Sequence, residues 1–288
     1  MAGDDKAGPP SPMRLYGLSR RSLNAVTIAC GVFAVFTLLP LWWVFVSASK
    51  TVPDLNSTFG FWFARPFVLF SNLEHVLTAN GGVFLVWLRN TAIYAGLGAL
   101  GATGLSAAAG YGFARFDFPG KSALFIFVMA ALLIPVTVFA VPLYLIYAKV
   151  HMDSTMPGIF MPFMASPFSV YVMKVYVGGS VPKELIDAAR VDGASEGVIF
   201  LRVACPLIVP ALATVFMLNL AIDWNNYFLP FIINNNPHLN TLTQGLPMLG
   251  YGSLEVVAGL LTMVPLMVVF VALQRYWRGG LLLSLLDA

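Results

Sequence analysis

The chain has 288 residues, of which 59% are hydrophobic and only 10% charged, with a formal net charge of +3. A mean hydropathy of +0.82 exceeds what a soluble core needs, and so small a charge excludes the basic stripe of a nucleic-acid binder. The two cysteines, Cys30 and Cys205, fall in or beside apolar stretches and exclude a disulfide scaffold.

In chain order, a polar, proline-containing tail over 1–21 leads into six blocks free of Asp, Glu, Lys and Arg: 22–49, 90–114, 122–148, 154–173, 203–222 and 256–274. A spanning helix needs ~20 apolar residues. The expectation is an all-α, polytopic membrane protein with six transmembrane helices filling 22–278. The fifth is extended to 203–231, and a short tail follows at 279–288. Arg14, Arg20 and Arg21 before the first block, with "SAS" at 47–49, imitate a cleaved signal peptide. The apolar core of such a peptide is ~7–15 residues, much shorter than this block.

Between the first two blocks, 51–87 is a long mixed loop with aromatic "FGFWF" beside Pro66, suited to the membrane surface or to an outside partner. The second block carries two rows of small residues: Gly98, Ala102, Ser106 and Gly110, and Ala95, Ala99, Thr103 and Ala107. Such rows let neighbouring helices approach closely, within the bundle or at a subunit seam. Pro135 and Pro142 interrupt the third block, Pro157, Pro162 and Pro167 the fourth, and Pro265 the sixth; each removes a donor and bends its helix. The uncharged stretch 224–254 contains "IINNNPHLNTLTQGL", which would strand amides in hydrocarbon, so it reads as a loop.

Basic residues set the orientation. With a cytoplasmic N-terminus the inner segments hold Lys6, Arg14, Arg20, Arg21, Arg115, Lys121, Lys174, Lys183, Arg190, Arg202, Arg275 and Arg278, and the outer ones only Lys50, Arg65, Arg89 and Lys149. Both termini then face the cytoplasm, and His75, His151 and His238 lie outside.

Against this background "KELIDAARVDGASEGVIFLRVACPL", 183–207, is a charged wedge. Ser180 and Pro182 suit a helix start, and Gly193 suits a left-handed end. Ser195 then caps a second short helix with Glu196 near its start and Arg202 near its end, and Pro206 closes it. Lys183, Glu184, Asp187 and Arg190 occupy one side, with Leu185, Ala188 and Ala189 on the other. The smooth alanine patch lacks the bulky anchors of an interfacial helix and favours docking to a soluble partner.

This loop, over 180–206, resembles the coupling loop of permease subunits of binding-protein-dependent ABC importers, patterned E-A-A, three residues, Gly, nine residues, I-x-L-P. Asp187-Ala188-Ala189, Gly193 and Val203-Ala204-Cys205-Pro206 keep that spacing, with Asp for Glu, Val for Ile and Cys for Leu. "NTAIYA", "AGYGFARFDFPGK", "PKELIDAARVDGAS" and "WNNYFLPFI" are similar to landmarks of the sugar-uptake branch in its maltose-type second-permease form. The ending "RGGLLLSLLDA" departs from it. The resemblance implies a non-catalytic subunit in a bacterial or archaeal cytoplasmic membrane. It would pair with a second, different permease, two ATPase subunits that hold ATP and Mg, and an outside binding protein or lipoprotein that delivers the sugar. It assigns Glu184, Asp187, Ala188, Ala189, Asp192, Gly193 and Pro206 to ATPase coupling.

Enzyme chemistry finds little support. Gly120-Lys121-Ser122 imitates the end of a phosphate-binding loop, but Arg115 stands where the motif needs glycine. No Cys or carboxylate stands at metal spacing from a histidine, so no cofactor or metal is expected on this chain. Phe216, Asn219, Asp223 and Asn226 share a helical face and suit either a sugar pathway or an interhelical polar network. Outer Arg65 and Arg89 would suit a glycerol phosphate instead. A self-contained secondary carrier is the further alternative, and it would need ionisable groups inside the blocks.

Overall fold

The computed structural model describes residues 20–250 and 252–286, and these form helices and turns with no strand among them. The expected tail over 1–21 lies almost wholly outside the described residues. Helix α1 (Arg20–Ala48) is apolar along its length. Helix α2 (Val52–Ser57) follows at once, its first turn capped by the Thr51 hydroxyl, which accepts from the Asp54 amide. Helix α3 (Leu69–Arg115) is broken at Ala79–Gly82, where Asn80, Gly81 and Gly82 have φ of +50°, +72° and +81°. Asn and Gly adopt that left-handed backbone most cheaply.

Among the described residues three single helices are long and apolar enough to cross a membrane: Arg21–Ala48, Leu69–Arg115 and Ser253–Tyr276, the last within α13 (Ser253–Leu286). Three bent pairs bring the number to at most six. Helix α4 (Lys121–Ala130, with a tight turn to Leu133) meets α5 (Val136–Lys149) at 101°, and α6 (Met156–Phe160, with a tight turn to Met164) meets α7 (Pro167–Ser180) at 41°. Helix α9 (Glu196–Ile199), prolonged through a π-helical turn and Cys205–Leu207, meets α10 (Val209–Trp224) at 83°. The expected spans 122–148, 154–173 and 203–231 are therefore not continuous. A proline without an N–H stands at each break, namely Pro135, Pro167 and Pro210. Pro40, Pro142 and Pro265 sit inside unbroken helices. Helix α13 also runs on to Leu286 through the segment read as a tail.

Helix α3 is the central member, packed against α7, α10 and α13. Its small rows explain the closeness. Gly98, Ala102, Ser106 and Gly110 are buried, and a Cβ on Gly110 would stand 2.6 Å from the Met173 Cβ. The rows therefore serve packing within this chain. Helix α1 packs on α13 and turns Phe33, Phe36 and Val32 outward, where only lipid or another subunit makes apolar exposure favourable.

Hydrogen bonds tie the connections together at the two ends of the bundle. At one end, Asn72 Nδ2 donates to the carbonyls of Ala48 and Lys50, Asn90 Nδ2 donates to those of His238 and Asn240, and the Ser154 amide donates to Ile233. His151 and His238 lie in these connections, and His75 lies in the first turns of α3. At the other end, Arg115 Nη2 donates to the carbonyls of Val177, Gly178 and Val181.

The stretch read as a plain loop, 224–254, is a folded cap containing α11 (Phe228–Ile233) and α12 (Leu242–Gly245). Asn234 Nδ2 donates to Asn240 Oδ1, Asn234 Oδ1 accepts from the Asn236 amide, and Asn236 Oδ1 accepts from the His238 amide. Thr241 and Gln244 form a reciprocal cap at the start of α12.

Candidate functional site

Between α7 and α9 the chain forms helix α8 (Lys183–Val191). Pro182 sits at its N-cap with φ −61°, and Ser180 is instead the last residue of α7. The proline's fixed φ suits the entry, and no side chain caps the first amides of α8. Ser195 likewise precedes α9 without a side-chain bond. The C-terminus meets expectation. Gly193 has φ +82°, its amide bonds Arg190 O, and the Ala194 amide bonds Ala189 O, the paired closure of a helix ending in glycine.

Ile186 is the buried anchor of α8, with Ala189 packed beside it. Ile186, 2% exposed, enters a cluster with Val181, Ile199, Ala204 and Ile208. The remaining surface faces away: Glu184, Asp187, Ala188, Asp192 and Gly193 are exposed, and Ala189 is half-buried. Apolar groups stand among them, with Leu185 43% and Val191 89% exposed. Pro206 is exposed too, within the helical turn before the bend at Ile208.

Arg190 fixes the angle between the two short helices. Its Nη1 lies 3.0 Å from Asp187 Oδ1, and its Nε lies 2.6 Å from Glu196 Oε1 across the glycine turn. Bonding to Glu196, and then to Asp187, raises the guanidinium's proton affinity above its already high range. The sequence reading placed Arg190 only on the polar side of α8. Its spacing of three from Asp187 was the available signal for a helical ion pair.

Nearby, Lys121 Nζ donates to Phe116 O and to Asp117 Oδ1. The Gly120-Lys121-Ser122 stretch is thus a self-bonded turn. The hydrogen bond from Lys121, reinforced by its charge, holds the Asp117 carboxyl below the usual carboxylate range.

The second feature is a cavity of about 550 Å³ where α5, the turn after α6, the start of α7 and α10 meet. Asn219, Asp223 and Asn226 line it, as their common face implies. Phe216 does not. It packs with Leu220 and Trp224 in the cluster shared with α3 and α13, because the face carrying these residues divides between two neighbouring helices. Asn219 is also partly a structural residue, since Nδ2 donates to Ser169 Oγ at 2.9 Å and to Val215 O at 2.8 Å. Asn226 Oδ1 accepts the Leu229 amide and so starts α11. Asp223 is 9% exposed, and its Oδ2 has no hydrogen-bond partner among the described residues. Ser166 and Ser169 belong to this region without having been marked in the sequence, and Gly98, marked there as a small packing residue, adjoins it. A Cβ on Gly98 would lie 2.9 Å from Asp223 Oδ2 and 2.6 Å from the Phe163 Cβ. Arg89 donates to Asn90 Oδ1, and neither it nor Arg65 lines the cavity.

Comparison with known proteins gives concordant results. Residues 101–279 match the family model described as binding-protein-dependent transport system inner membrane component. The arabinooligosaccharides transport system permease protein AraQ of Bacillus subtilis is 30% identical over 70% of this chain and 74% of its own length. The sn-glycerol-3-phosphate transport system permease protein UgpE of Pectobacterium atrosepticum is 28% identical over 91% of this chain and 97% of its own. Among solved structures, a chain of a bacterial ABC transporter that imports the acidic polysaccharide alginate superposes with a TM-score of 0.74. It is 21% identical and covers 94% of this chain and 99% of that one, a likeness of fold.

Proposed function

Because the chain belongs to the family of inner membrane components of binding-protein-dependent transport systems, we propose that it forms half the pore of an ATP-driven sugar importer, driven by a separate ATPase through α8. The chain is a multi-pass membrane component, and its relatives are transport permeases. Beyond that, the reading is as follows. A second permease completes the pore, and an outside binding protein presents the sugar. Two ATPase subunits, which carry the ATP and Mg, grip the wedge on the cytoplasmic side, where both termini also lie. Glu184, Asp187, Ala188, Asp192 and Gly193 form the grip, with Ala189 and Pro206 setting its shape.

The observation that carries this reading is the exposed α8 unit. A helix anchored by one buried side chain, closed by glycine and clamped to its neighbour moves as a rigid body. Its exposed Val191 and Leu185 are costly unless a partner covers them. The polar cavity face supports a sugar pathway, and AraQ supports the oligosaccharide class, whereas UgpE carries the phosphorylated alternative.

The test is Gly193→Trp, measured by uptake of labelled oligosaccharide and by ATPase co-purification. No atom lies within 4 Å of a Cβ at Gly193, so an indole there meets this chain little, and the left-handed backbone adds about 1–2 kcal/mol of strain. Protein that reaches the membrane but neither transports nor retains ATPase is expected. Undiminished uptake would refute the coupling role.

A further inference from the structure

We infer that the cavity is selective for sugars without negative charge, with the Asp223 carboxylate accepting a hydroxyl of the cargo. This rests on the sugar-importer reading and adds the charge class of its substrate. The volume, about 550 Å³, falls in the ~300–1,000 Å³ range of small-molecule sites. Its walls are largely apolar, with Phe139, Phe163, Phe168, Pro142 and Ile222 among them, the surfaces on which sugar rings pack.

The polar groups are few, and most are already committed. Asn219 Nδ2 is held by Ser169 and Val215, the Ser166 hydroxyl pairs with that of Ser169 at 2.7 Å, and Asn226 Oδ1 holds the Leu229 amide. Asp223 differs. It is buried and lines the cavity, yet its Oδ2 lacks a partner among the described residues. A buried acceptor left unpaired is unfavourable, and a hydroxyl donor from cargo removes that cost. Gly98 leaves the room that this carboxylate and Phe163 occupy.

The lining contains no Lys, Arg or His. A phosphate or uronate entering it would lose water beside a carboxyl group with no cation to offset the loss. The outer arginines that suited an anion in the sequence do not reach this cavity. A neutral polyol meets no such barrier.

The experiment uses the complete complex, with both permeases, ATPase and binding protein, in ATP-loaded proteoliposomes. The labelled probes are arabinotriose and raffinose as neutral sugars, and glycerol 3-phosphate and digalacturonate as anions. Wild type should take up a neutral sugar and neither anion. Asp223→Leu should lower neutral uptake about tenfold, the worth of a buried hydrogen bond. Retention of the ATPase subunits and of the second permease on purification should report an intact fold. Asp223→Asn, which keeps an acceptor, should recover most of the rate. Uptake of either anion by wild type, or undiminished neutral uptake by Asp223→Leu, overturns the inference and leaves the importer reading standing. Failure of wild type to take up any of these sugars removes the importer reading, and the inference with it.

Discussion

The two ends of the bundle are both polar, and they use polarity in opposite ways. In the cap over 224–250, Asn234, Asn240, Thr241 and Gln244 are buried and bonded to one another or to nearby backbone. In the wedge, Lys183, Glu184, Asp187 and Asp192 point outward, and only Ile186 of α8 is buried. Composition separates them weakly, but accounting for hydrogen bonds separates them clearly. A polar segment whose groups satisfy one another is a lid on the fold. One that leaves charged and apolar groups displayed together is prepared for another surface.

Substitutions that spoil one end and spare the other test this contrast. The largest effect is expected from Val191→Asp, which puts a charge at the most exposed apolar position of α8. ATPase capture should fall about tenfold or more, while the unfolding midpoint of the purified subunit stays put; a matching loss of stability would mean that Val191 is structural. Asn90→Leu should do the reverse. It leaves the carbonyls of His238 and Asn240 without their donor, a loss of about 2–4 kcal/mol read by chemical unfolding in detergent. Protein that survives should still retain ATPase.

Arg190→Met sharpens the comparison further. Exposed ion pairs add little to stability, so thermal unfolding should barely change. Uptake per ATP hydrolysed should nevertheless fall a few-fold, because the two short helices lose their fixed angle. The smallest effect is a pH dependence at the Asp117–Lys121 turn. The Asp117 carboxyl titrates lower in the folded protein than unfolded. Its contribution is therefore complete above the ordinary carboxylate range and lost as pH falls through the folded value. Asp117→Asn should remove only that acid-side slope from an unfolding-versus-pH curve.

Much of this was legible in the sequence for physical reasons. Charge-free blocks of bilayer length, small residues every fourth position and glycine at the end of a charged helix each reflect a local constraint. Prolines marked the bends near Pro135 and Pro167. The bend at Ile208 follows two residues after Pro206, the residue read as closing the second short helix. Phe216 was misplaced because a helical wheel shows a face but not how many neighbours share it. The partnerships of Arg115 and Asn90 were hidden for a similar reason, since carbonyl acceptors contributed by distant segments have no signature in side-chain identity.

Helix α3 ties the ends together. From Val83 to Arg115 its axis runs about 50 Å. Its C-terminus is fastened by Arg115 to the carbonyls of Val177, Gly178 and Val181, immediately before α8, and its other end, about two turns in, by Asn90 to the cap. A strut pinned at both extremities passes a displacement in either direction. In the proposed importer, binding at the cap end and gripping at α8 then alter each other's affinity by one shared factor.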